Sequence, residues 1–180
     1  MTHEEIIQHT QNWIKTVVID CNFCPFAARV YSNKTIRYTV SNTKTIAESL
    51  PVLLEEYHLL DKGEQPETTF IIFPEGFNDF KDYLALVKKA ESQLRKEDYE
   101  GVYQVASFHP DYCFQGADKD DPANYTNRSV YPMLHLLREE SVTKALQFFP
   151  HAENIPDNNI AFARNKGLQF MQLLLANAVK

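Results

Sequence analysis

Residues 69–73 read TFIIF, a short and continuous apolar run. Such a run suits a strand covered on both faces, as in a parallel sheet. Working outward, Thr35–Val40 (TIRYTV) alternates and is rich in β-branched residues, which predicts an earlier strand. Between them Ile46, Leu50, Leu53, Leu54 and Tyr57 recur at helical spacing. Pro51 lies inside that pattern and predicts a kink, unless the helix begins there. On the other side, Asn78 or Asp79 caps a helix whose buried face is Phe80, Leu84, Val87 and Leu94. Val102–Phe108 then reads as a third strand. Strand, helix, strand, helix, strand implies two right-handed crossovers and a parallel sheet.

The flanks add helices. Ile6, Ile7, Thr10, Trp13, Ile14, Val17 and Val18 predict a helix over residues 3–18. CNFCPFAARV predicts a turn and a short helix opening near Pro25, since proline suits a first helical turn. Met133–Leu137 (MLHLL) is either a fourth strand or the start of a helix. Ser141 caps a helix through Phe149, and Asp157 caps a last helix bearing Ile160, Leu168, Met171, Leu174 and Leu175. The expected fold class is α/β bordering α+β: one domain, residues 1–180, with a small, mostly parallel mixed sheet of three to four strands covered by helices.

Composition bounds the function. The 180 residues are 44% hydrophobic, enough for a sizeable core. The formal charge is −6 and no Lys/Arg run appears, so no nucleic acid partner is expected. No apolar run approaches the roughly 20 residues that span a bilayer, and MTHEEIIQHTQNWIK lacks the pattern of a signal peptide. No membrane partner and a cytoplasmic location are therefore expected. Three cysteines do not make a disulfide framework. Glycine-rich phosphate loops, GxSxG elbows and HExxH helices are absent from the sequence.

Ser107–Pro132, SFHPDYCFQGADKDDPANYTNRSVYP, follows no regular pattern. Loops of this length in a compact domain are usually functional or disordered, and five aromatics argue for order. The loop also leaves from the carboxyl end of a strand, where ligands bind in parallel sheets. His109 and Asp111 alternate across Pro110 and, on extended backbone, face the same side. They read as an acid/base and its orienter, or as groups that merely bond the turn. Asn124, Asn127, Arg128 and Tyr131 read as a clamp for a small anionic ligand. The other reading has Arg128 pairing with a loop aspartate. Asp118-Lys-Asp120-Asp121 lacks the glycine and glutamate of a calcium loop, having Ala123 and Ser129 in their places, and reads as a solvated turn. Cys21 and Cys24 have dithiol spacing, but they follow a helix rather than a strand. Cys24 is a nucleophile if its turn folds over the same strand ends; otherwise both thiols are packed. His135 reads as a satisfied core histidine, and Arg29 and Arg138 as surface groups or anion ligands.

Three stretches carry a resemblance: WIKTVVIDCNFCPFA (Trp13–Ala27), GVYQVASFHPDY (Gly101–Tyr112) and ANYTNRSVYPMLHLLREESV (Ala123–Val142), joined by the segment around Ile155–Ile160. Together they resemble a bacterial family catalogued as a domain of unknown function, number 1415. Cys24-Pro25-Phe26 fits its pattern, whereas Cys21 and Cys113 depart from it. The resemblance implies a single-domain, soluble bacterial protein and assigns no activity, cofactor or catalytic residue.

The leading expectation is an enzyme acting on a small anionic metabolite through His109, Asp111 and Arg128 with Asn127, and with Cys24 as the candidate nucleophile. It predicts that His109→Ala and Arg128→Ala abolish binding and leave the thermal midpoint unchanged. The rivals are a metal-dependent site using His109, Asp111 and His135 or Glu75, and a non-catalytic interaction module whose aromatic loop meets a partner. Cofactor and oligomeric state stay open.

Overall fold

A computed structural model of the chain describes residues 1–63 and 65–180. Four strands, β1 (Ile36–Val40), β2 (Thr68–Ile72), β3 (Tyr103–Phe108) and β4 (Met133–Arg138), form one mixed sheet in the order β1-β2-β4-β3. The β1–β2 pair is parallel, while β4 runs antiparallel to both of its neighbours. The first three strands therefore point one way. The expected mostly parallel sheet holds only for β1 and β2, because a fourth strand stands between β2 and β3 and pairs antiparallel with both. The cause is the long loop, which carries the chain from the end of β3 to the start of β4 at the same edge of the sheet. A strand that starts where its neighbour ends must run back along it. Its central place explains why MLHLL is apolar but for His135: every residue from Met133 to Leu137 is buried.

Helices cover both faces. Alternation sends Ile71 and Phe73 to one side, with Tyr103, Leu134 and Leu136. They meet Leu53, Tyr57 and Leu60 of α3 (Ile46–Asp61) and Tyr83, Leu86, Ala90 and Leu94 of α4 (Phe80–Lys96). Phe70, Ile72 and Met133 point the other way. There they meet α1 (His3–Trp13), its π-helical continuation Ile14–Ile19, and two late helices, Ile155–Lys166 and Leu168–Asn177. Ile6 and Ala178 share that core, so the two ends of the chain are packed together. The remaining helices are α2 (Ala27–Ser32) and α5 (Glu139–Leu146); in chain order the late pair are α6 and α7. Phe26 and Val30 pack with Leu137 at the amino ends of β1 and β2.

Local signals set the boundaries. Thr2 with Glu5, and Thr45 with Glu48, form reciprocal capping boxes at α1 and α3. Asp79 rather than Asn78 caps α4, accepting the N–H groups of Lys81 and Asp82. Helix α3 starts before Pro51 and contains it, the first of the two readings. Other helix expectations change. Leu84 is exposed, and α4 buries Tyr83, Leu86, Ala90 and Leu94. Arg138 rather than Ser141 stands at the cap of α5, which ends at Leu146, and Asn154 rather than Asp157 at the cap of α6. The helix of residues 3–18 leaves α-geometry after Trp13. The single last helix is two, α6 and α7, because Gly167 sits at φ 83° between them, a conformation that ends a helix. Among the described residues no helix is long and apolar enough to cross a membrane.

Candidate functional site

The long loop is ordered by its own polar groups. Its stems stay paired for one step past β3, with His109 N–H on the Asn127 carbonyl at 3.3 Å and Ser129 N–H on the His109 carbonyl at 3.4 Å. The backbone then turns at Pro110, and Tyr112 N–H donates to the His109 carbonyl at 3.1 Å. That turn cancels the alternation expected of an extended chain. His109 is buried between the rings of Phe80 and Tyr83, while Asp111 is exposed.

The ring of His109 is fully used. Nδ1 accepts the main-chain N–H of Asp111 at 2.9 Å, so the proton resides on Nε2, which donates to the Phe77 carbonyl at 2.9 Å. Burial lowers its pKa, against the Phe77 carbonyl and the charges of Asp111 and Asp79, which favour protonation. The result is a neutral imidazole with no free nitrogen. Asp111 orients it through the backbone rather than through the carboxylate.

The expected clamp residues are engaged in the same way. Arg128 is buried over the Tyr125 ring at 4.6 Å, donating from Nε to the Tyr112 carbonyl at 3.1 Å and from Nη2 to the Lys119 carbonyl at 2.9 Å. Its partners are carbonyls, not the loop aspartates. Asn124 accepts from Phe114 N–H at 3.0 Å and donates to the carbonyls of Asp118 and Lys119 at 2.9 and 3.2 Å. Asn127 donates to the Ser107 carbonyl at 3.3 Å and accepts from the Thr126 hydroxyl at 3.0 Å. The Tyr131 hydroxyl lies 2.7 Å from Nδ1 of His9 on α1. Asp121 takes a two-pronged contact from Arg164 of α6, at 3.1 and 2.7 Å. The imidazole faces α4, the guanidinium folds back into the loop, and Tyr131 reaches α1. The expected convergence of these groups on a shared hollow is not what the loop builds.

Cys24 does not join them. It packs with Phe26, Val30 and Leu137 at the amino ends of the parallel strands, while His109 follows their carboxyl ends. The four steps from Met133 to Leu137 separate those levels by about 13 Å. Burial raises the pKa of the Cys24 thiol above 9.0, partly offset by the N–H groups of Phe26 and Ala27. Cys21 is also pushed up, by burial and by Asp20, and all three cysteines are free. His135 stacks on Phe70 at 3.8 Å. The Thr68 hydroxyl donates to the Leu136 carbonyl at 2.6 Å and so accepts from His135 Nε2, also at 2.6 Å. Burial takes the pKa of His135 down to about 3. Glu75 pairs with Lys44 at 3.0 Å. Among the described residues no three His, Cys, Asp or Glu side chains gather to hold a metal ion.

A concavity of about 720 Å³ opens at the other end of the sheet, between α2, α5 and the chain leading into β2. Arg29, Arg138 and Lys144 line it, with Glu67 and Glu140. Arg29 pairs with Glu67, and Lys144 with Glu140 at 2.5 Å. Arg138 differs from both. Its Nη1 donates to the Tyr103 hydroxyl at 3.1 Å, and its Nη2 to the carbonyls of Leu60 and, at 2.6 Å, Gly63. Among the described residues its buried Nε has no partner. Among the described residues no carboxylate is bonded to it. Asp61 is one step removed, accepting from Tyr103 at 2.7 Å and from Tyr99. Arg29 and Arg138, open between two readings in the sequence, thus share one cleft. Lys144, Glu67 and the adjacent Phe148 and Phe149 escaped the sequence reading, because the rule for parallel sheets points to the opposite edge. The one available signal was a pair of phenylalanines just past a polar helix.

The family model described as "Protein of unknown function (DUF1415)" matches residues 5–173. No curated protein matches the chain, and neither does any solved structure.

Proposed function

We propose that this chain, which belongs to the DUF1415 family of proteins of unknown function, binds a small anionic molecule in the cleft between α2 and α5. One observation carries the reading. The guanidinium of Arg138 is held at the cleft by neutral oxygens, with no bonded carboxylate among the described residues. Arg29 and Lys144 stand beside it, so among the described residues the cleft holds three cations against Glu67 and Glu140. Exposed ion pairs contribute about 0–1 kcal/mol. An incoming carboxylate or phosphate therefore displaces Glu140 from Lys144 at little cost. Arg29 adds a planar donor set that matches either anion, while Arg138, its donors held by the Tyr103 hydroxyl and main-chain carbonyls, adds its charge. The volume falls within the range of small-molecule sites, about 300–1,000 Å³. The formal charge of −6 disfavours a polyanion and leaves a small ligand as the fit.

The reading is of binding rather than chemistry. His109 stands at the far end with both nitrogens bonded, and Cys24 keeps its proton at neutral pH. In this proposal the loop residues His109, Asn124, Asn127 and Arg128 are framework. The test is a thermal-shift screen of small phosphates and carboxylates, since binding to the native state raises its apparent stability. The expected result is a concentration-dependent rise in midpoint that Arg29→Ala with Lys144→Ala weakens tenfold or more. No rise with any anion, or a rise indifferent to those substitutions, overturns the proposal. Both side chains are largely exposed, so the variant folds.

A further inference from the structure

The mouth of the same cleft is not polar throughout. Phe148 and Phe149, in the segment after α5, line it together. Phe148 is 82% exposed, the most exposed large apolar side chain of the chain, and Phe149 is 37% exposed. Single exposed apolar residues are ordinary on protein surfaces. Two consecutive phenylalanines lining a charged concavity are a different arrangement, because each ring gains on leaving water only if something apolar covers it. Their position is fixed from behind: Phe149 N–H donates to the Leu146 carbonyl at 2.9 Å, carrying on from the end of α5.

Much of the remaining lining supplies charge rather than apolar surface. Arg29 sits over the ring of Phe26 at 5.6 Å and turns its guanidinium to Glu67, and Arg138 lies beyond. A bare phosphate or acetate fills only a small part of about 720 Å³ and leaves both rings wet. A molecule with an anionic group at one end and a flat aromatic body at the other meets both kinds of lining at once.

Resting on the anion-binding reading above, we infer that the ligand is an aromatic anion, its phosphate or carboxylate at Arg29, Arg138 and Lys144 and its ring against Phe148 and Phe149. The class runs from aryl phosphates to nucleoside monophosphates.

The probes are 1-naphthyl phosphate, inorganic phosphate and 1-naphthol, titrated into the full chain and into Phe148→Ser/Phe149→Ser. Naphthyl phosphate is expected to bind at least tenfold more tightly than inorganic phosphate. The double variant loses that advantage and keeps its affinity for inorganic phosphate. An advantage that is absent, or that survives the double substitution, overturns the aromatic inference while leaving anion binding intact. If naphthol binds as well as naphthyl phosphate, or if neither phosphate binds, the anion reading itself falls, and the inference with it. Both phenylalanines lie outside the core clusters, so an unchanged melting midpoint certifies the variant before titration.

Discussion

His109 donates from Nε2 to the main-chain carbonyl of Phe77 at 2.9 Å, joining the start of the long loop to the turn before α4. Phe77 sits at φ 58°, a left-handed conformation that a bulky side chain adopts only under constraint. The bond supplies part of that constraint, and the opposite ring nitrogen fixes Asp111 N–H at the same time. Replacing His109 with alanine leaves two main-chain groups without partners and opens a cavity among aromatic rings. Unpartnered buried groups cost about 1–3 kcal/mol each, so His109→Ala is expected to lose about 3 kcal/mol in urea denaturation. Asn recovers part of the loss, because its carbonyl can still accept from Asp111. An unchanged midpoint for His109→Ala would restore the acid/base reading of this residue.

Asn124 and Asn127 look equivalent in the sequence and are not equivalent in the fold. The amide of Asn124 is fully buried and serves three main-chain groups; that of Asn127 meets one carbonyl and one hydroxyl. Asn124→Ala is therefore expected to cost about 3 kcal/mol, and Asn127→Ala about 1 kcal/mol. Hydrogen exchange separates local from global effects. Amides of residues 113–124 should lose protection in Asn124→Ala, while those of β2 keep theirs. Equal costs for the two asparagines contradict this assignment.

The strands were legible because their signals are local. β-branched alternation marks β1, and a continuous apolar run marks β2. Strand order was not legible, because the insertion of β4 between β2 and β3 is decided by where the 24-residue loop from His109 to Pro132 delivers the chain. Nothing within MLHLL states its neighbours. The candidate site divides the same way. A histidine and an aspartate two apart face one pocket only on extended backbone, and the turn that closes Tyr112 onto His109 removes that premise. Arg29 and Arg138 lie far apart in sequence, and only the packing of α2 against the end of β4 brings them to one cleft. Polar residues that hold a loop and polar residues that hold a ligand have the same composition. Only the identity of their partners distinguishes them.

Two buried histidines set the acid limb of stability. Burial lowers the pKa of His135 from 6.5 to about 3, and that of His109 from 6.5 in the same direction. Below pH 6.5 the unfolded chain therefore takes up protons that the folded chain refuses. Stability is complete above the unfolded value and declines as pH falls toward the folded ones, by up to about 1.4 kcal/mol per pH unit for each histidine. Chemical denaturation at a series of pH values between 7 and 4 reads this slope. His135→Gln is expected to lower stability at pH 7 and to make the slope shallower. A slope that the substitution does not change assigns the acid limb to other groups.

Gly76 follows β2 at a point where the chain passes close to the turn after β1. A Cβ built there would lie 2.4 Å from the Thr43 carbonyl oxygen and 3.3 Å from the Lys44 Cα. Both are main-chain atoms, so no rotamer change relieves the contact. Nor is Thr43 free to retreat, since its hydroxyl lies 2.8 Å from those of both Ser41 and Ser49 and so ties the turn to the first part of α3. Gly76→Ala must therefore displace one segment or break that hydroxyl chain, at a cost of about 2–3 kcal/mol by the usual penalty for overpacking. Gly116 supplies the contrast. It sits at φ 78° with open space around the position of a Cβ, so Gly116→Ala meets only the conformational penalty, about 1 kcal/mol. Urea denaturation of the two variants orders them. Gly76→Ala is expected to be the less stable, and the reverse order would mean that the two turns do not approach as closely as this packing requires.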